Sequence, residues 1–306
     1  MKELSGSALA ARALALCWLV GGHAFFFPGV FLPFVPLPVP PNSARLLFIA
    51  LSVLSSAAIV LGVQLRKACV LLGATVLVAT LLSRAYFSNN RLFFAVLMLV
   101  FGIAEGNDVR WAVRGELALL YFGAGLDKLL SAEWRSGEVL STLAAGLLKS
   151  GHLYLPINRS FGPHPLGDAL SFFTSQTVAQ LCSIGVIGIE LVLAGAFAFG
   201  FVRSALLLHC ALQCGIVLFL GSTMGVFFQA CFAAAIPFLG EPETARKRTA
   251  TAGCVLGAFA FSSTPLATPW TIVVVFVLSA FAAWRWSAPT SAVRNATARG
   301  TAPEAG

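Results

Sequence analysis

Residues 116–140 read ELALLYFGAGLDKLLSAEWRSGEVL, a hydrophobic helix that ends in charge. Tyr121, Gly125 and Lys128 follow the helical spacing of three and four, so they share one face. Gly123, Ala124 and Gly125 leave the helix thin enough for a neighbouring backbone to approach closely. Asp127 and Lys128 then set opposite charges at the edge of an apolar segment. An ionisable group in or just under a bilayer is costly to keep, which makes it a functional candidate. A plainer reading is that Lys128 snorkels to the headgroups and Asp127 balances it. An edge lysine contributes little to packing, so losing it should leave expression near normal.

The whole chain fits that start. Of its 306 residues, 58% are hydrophobic and 10% charged, against about 25% charged in soluble domains. Mean hydropathy is +0.88. The expected fold class is an all-α, polytopic membrane bundle of about eight to ten helices, with membrane lipids as its surroundings. The net charge of +8 comes from basic residues scattered singly between apolar runs. That distribution carries topology and forms no nucleic-acid surface. The seven cysteines all lie in apolar stretches without a C-x-x-C pair, and read as small buried hydrophobes. The four histidines do not pair on any helix face, so no metal site is expected, and the residues specify no cofactor.

Ten spans are expected, at about 8–27, 44–65, 68–83, 92–104, 116–130, 178–201, 205–220, 225–239, 250–263 and 268–284. Six prolines between Pro28 and Pro41 forbid a helix there and predict an extended connector. Residues 105–114 read as a charged turn. Residues 131–176 form the longest stretch without a span. Val139–Leu148 within it predicts a short helix, and the rest is expected beyond the membrane face, where it can cap a site. Arg66-Lys67, Arg110, Arg114 and Arg246-Lys247-Arg248 fall on one side if both termini are cytoplasmic, which places 131–176 outside. Residues 1–286 are thus one membrane domain, and the polar tail 287–306 is expected to be disordered. The expected location is the inner cell membrane, crossed many times.

The run Tyr121-Phe-Gly-Ala-Gly-Leu-Asp-Lys-Leu129, followed by Glu133-Trp134 and Gly137, resembles a motif of the HTTM (horizontally transferred transmembrane) proteins. These include the membrane domain of vitamin K-dependent gamma-carboxylases. The resemblance is dense over about twenty residues. It implies that Lys128 is the base of the reaction and that Tyr121, Asp127 and Trp134 belong to the same site. Asn89-Asn90-Arg91 is a second point of similarity, where the family shows amides followed by a catalytic histidine. Two departures matter. Arg91 stands in the histidine position, and arginine does not act as a base. Asp127 stands where the carboxylases carry a second cation, which would make the lysine a weaker base.

Two further intramembrane groups are candidates. Glu190 lies mid-span without a local countercharge and needs a partner in the bundle, such as His209 or Arg203; Glu190 and His209 are both expected to be buried, close to each other or to the Lys128 helix. His209 and Gln213 form a polar stripe one turn apart, either lining a cavity or joining helices by hydrogen bonds. The resemblance implies an enzyme or maturation factor acting on a peptide, a small secreted protein or a lipid-soluble substrate at the outer face. A chain of this size leaves no room for the large lumenal domain by which carboxylases hold their protein substrate. The competing classes are a transporter or channel and a membrane redox partner of the DoxX kind. The latter would call for a C-x-x-C relay that the chain lacks.

Overall fold

In the computed structural model, residues 6–19, 31–36, 38, 40–86, 89–150 and 166–220 are described, with isolated positions at 234, 235, 238, 274 and 277. The fold of the described residues is all-α. Helices α1 (Gly6–Cys17), α2 (Pro41–Leu61), α3 (Leu65–Leu82), α4 (Asn89–Ile103) and α5 (Asn107–Leu130) come first. The short α6 (Ala132–Ser136) and α7 (Glu138–Ser150) follow, then a 3-10 helix over Gly167–Thr174. Two long helices, α8 (Gln176–Phe199) and α9 (Val202–Leu220), complete the described part. The runs expected at 225–239, 250–263 and 268–284, the tail from 287 and residues 151–165 lie outside the described residues, isolated positions aside.

Helices α2, α3 and α8 are long and apolar enough to cross a membrane. Their surfaces are sorted in the opposite sense to those of a water-soluble bundle. Ser52, Ser55, Ser56, Thr75 and Thr80 are buried, while Leu46, Leu54, Leu61, Leu71 and Leu81 are exposed. The buried hydroxyls turn onto their own helix: Ser55 Oγ donates to the Leu51 carbonyl at 2.7 Å and Thr75 Oγ1 to the Leu71 carbonyl at 2.7 Å. Small hydroxyl residues let helices pack closely, and leucines facing outward suit a hydrocarbon solvent.

Helix α4 is the centre of the first half. Its 15 residues span only about 22 Å, short of the ~30 Å hydrocarbon core. Phe93, Phe94, Leu97, Met98 and Phe101 are all buried, and the Trp18 ring stacks on Phe94 with centroids 4.8 Å apart. Helix α3 crosses it closely because Gly73 and Gly102 stand at the contact. A Cβ at Gly73 would come 2.7 Å from the Ala95 carbonyl oxygen, and one at Gly102 2.8 Å from that of Arg66.

The proline-rich connector is extended where it is described. Pro33 bridges Ser83, the Phe34 N–H donates to the Leu82 carbonyl at 2.9 Å, and the Arg84 N–H donates to the Leu32 carbonyl at 2.8 Å. Pro41 then opens α2, at a position where a missing N–H costs nothing.

One expectation needs correction. The charged segment 105–114 is mostly helix: α5 begins at Asn107, one piece with the apolar run that follows. The basic residues read as topology markers have local work at helix ends. Arg66 donates to the Gly102 and Ile103 carbonyls at 2.9 and 2.7 Å and pairs with Glu105. Arg114 donates to the Phe197 and Ala198 carbonyls at 3.3 Å. Cationic groups at these C-termini satisfy carbonyls that the helix leaves open and oppose its dipole.

Candidate functional site

Helix α5 packs most closely against α8, and Gly125 sits at their contact. A Cβ there would lie 3.0 Å from the Leu191 side chain and 3.3 Å from the Glu190 Cβ, so glycine is what lets Glu190 come this near. Gly123, by contrast, faces open space.

One turn further along α5, Lys128 meets Glu190. Its Nζ lies 2.8 Å from each carboxylate oxygen and donates at 3.3 Å to the Ala124 carbonyl. Lysine is a donor only, so the carboxylate and the carbonyl both accept from it. The Trp134 ring covers the ammonium at 5.3 Å from its centroid, within cation–π range. Side-chain exposure is 18% for Lys128 and 7% for Glu190. The carboxylate is therefore the enclosed member, and the lysine keeps a way out. The countercharge expected for Glu190 from His209 or Arg203 comes instead from Lys128.

Trp134 reaches that position through the turn after α5. Ser131 caps α6: its hydroxyl accepts from the Trp134 N–H at 3.2 Å and donates to Glu133 at 2.7 Å. That hydroxyl holds the exposed Glu133 carboxyl below the ordinary carboxylate range. Gly137, in the left-handed region at φ 81°, then turns the chain into α7. Asp127 is exposed on the other side of α5, in keeping with the rotation of about 100° between neighbours.

A second polar group lies about two turns deeper on the same face of α5. The Tyr121 hydroxyl hydrogen-bonds His209 Nδ1, and Gln213 Nε2 donates to that hydroxyl at 3.4 Å. All three side chains are buried, and Phe197 stacks on the tyrosine ring with centroids 6.0 Å apart. The stripe of His209 and Gln213 thus faces α5, with both residues on one hydroxyl.

The remaining candidates lie at the start of α4. Asn89 is exposed, and the side chain of Asn90 lies outside the described residues. Arg91 is buried and turns onto the connection before it, where Nη1 donates to the Ala85 and Tyr86 carbonyls and the guanidinium lies over the Tyr86 ring. Its charge closes the α3–α4 turn.

A groove of about 620 Å³ opens along α7, beside the turn that carries Trp134. Val139, Leu143 and Leu147 line it, with Glu133 and Glu138 at one end. Lys128 is not among its lining residues. Among the described residues no cluster of metal-binding side chains occurs, and Cys17, Cys69, Cys182 and Cys214 are not in disulfides.

Among the described residues, the fold and the site define an all-α protein with three membrane-length helices and an internal lysine–glutamate pair. No family model, curated protein or solved structure matches the chain.

Proposed function

We propose that this chain is a multi-pass, HTTM-like protein of the inner cell membrane, in which Lys128 binds a peptide or lipid-soluble substrate at the outer face. The observation that carries this reading is the pairing of Lys128 with Glu190. Nζ donates to Glu190 and to the Ala124 carbonyl, and a lysine committed to a carboxylate partner is built to hold an acidic group more than to take a proton. It is a good anchor, because an acidic group on a substrate can exchange with one Glu190 oxygen while the partly exposed lysine stays charged. Binding or maturation is therefore favoured over vitamin K-dependent carboxylation.

The test uses secreted-peptide and lipid profiles of a deletion strain complemented with variants. Lys128→Arg keeps a cation opposite Glu190 but cannot deprotonate. Partial restoration by arginine is expected under the anchoring role, whereas a base role demands failure as complete as that of alanine. Full restoration by Lys128→Ala would remove the site assignment.

The outward orientation has its own check. In a background without native cysteines, Ser160→Cys should react with an impermeant maleimide applied from outside, and Ser291→Cys only from the cytoplasm. Labelling of Ser160→Cys from the inside alone would invert the topology and with it the outer-face reading.

A further inference from the structure

Glu116 lies on the opposite side of α5 from the lysine site. Five residues separate it from Tyr121, a rotation of about 140° at 100° per residue, so it faces α4 and not the α8–α9 side. Both carboxyl oxygens are sealed from solvent, and no side chain hydrogen-bonds them. The carboxyl lies by the backbone of Leu97, whose N–H belongs to the α4 ladder. Leu97 precedes the end of α4 at Ile103 by six residues, which at ~1.5 Å each places the carboxyl about 9 Å inside the bundle.

The charged groups on neighbouring elements are engaged elsewhere. On α4, Arg91 donates to the Ala85 and Tyr86 carbonyls. On α8, Glu190 pairs with Lys128. On α6, Glu133 accepts from Ser131 and Arg135 donates to the Ser131 carbonyl at 3.4 Å. On α5 itself, Arg114 points at the end of α8. An isolated carboxylate in such surroundings costs many kcal/mol, whereas the neutral acid does not.

We infer that Glu116 is a proton-binding site, separate from the lysine site, that rests as the carboxylic acid between α4 and α5. Its nearer exit is the end of the bundle formed by the α4–α5 turn, so a proton enters or leaves there. The group is also a target for hydrophobic carbodiimides, which modify protonated carboxyls in apolar surroundings.

The experiment treats the full-length protein in membrane vesicles with dicyclohexylcarbodiimide and maps adducts by mass spectrometry. Glu116 should be labelled, with labelling falling as pH rises, while Glu190, whose two oxygens are occupied by Lys128, should be labelled far less. Glu116→Gln, a neutral isostere of the acid, should match the wild-type thermal midpoint at neutral pH. Absence of label on Glu116 at both acid and neutral pH overturns the inference, and so does a large fall in the midpoint of Glu116→Gln.

Discussion

Replacing Lys128 by alanine should destabilise the folded protein severely, contrary to what an edge lysine would suggest from sequence. The substitution leaves the enclosed Glu190 carboxylate without its partner. Removing one member of a buried pair costs about 3–5 kcal/mol, and the partial exposure of Lys128 brings the expected loss to roughly 2–4 kcal/mol. Glu190→Ala should cost less, because the lysine stem can swing its ammonium towards water. Replacing both at once, as Lys128→Met with Glu190→Leu, removes both charges and should recover most of the loss. Thermal midpoints of the four proteins in one detergent give the comparison. A Lys128→Ala midpoint equal to the wild type would mean that the pair contributes nothing to the fold.

Gly137→Ala should release α6 and α7 from the bundle. At φ 81° an alanine already costs about 1–2 kcal/mol. Steric conflict adds more: the new Cβ would lie 2.3 Å from the Gln180 backbone nitrogen and 2.6 Å from the Ala179 carbonyl carbon. Backbone of α8 cannot rotate away as a side chain can, so the α6–α7 corner must lift. The bond from Gln176 Nε2 to the Ser136 carbonyl would go with it. The measurement is limited trypsin digestion, since Arg135 and Lys149 are exposed on the two short helices. Cleavage there should become much faster than in the wild type. An unchanged rate together with an unchanged midpoint would show that α8 accommodates the methyl group.

Helix existence was legible where apolar runs are long. The runs read at 44–65, 68–83, 178–201 and 205–220 are helices within a few residues of those limits. The start of α5 was not legible, because Asp108, Arg110 and Arg114 look like a turn until the partner carbonyls of Phe197 and Ala198 are known. Tertiary partners decided that case, and charge density in a window could not.

The candidate site divides in the same way. Shared faces within one helix follow from spacing, so Tyr121, Gly125 and Lys128 could be grouped from sequence. Pairings across helices follow only as far as the helix: intramembrane placement brings Glu190 and His209 towards the Lys128 helix, but not to the particular partners Lys128, 62 positions back, and Tyr121. Glu116 drew no notice beside the Tyr121–Lys128 motif. Its isolation is visible only once every neighbouring charge has been placed.

The strap of the proline-rich connector has a consequence for biosynthesis. Leu32 donates its N–H to Ser83 Oγ at 3.1 Å, across 51 positions of sequence. During synthesis at about 5–20 residues per second, some 3–10 s pass between the emergence of the first residue and that of the second. Throughout that interval the connector lacks its partner beyond the third helix. The strap therefore works as a checkpoint on order. It closes only after the third helix has arrived in the correct direction, and a ribosome paused before that point would leave the first two helices without their latch.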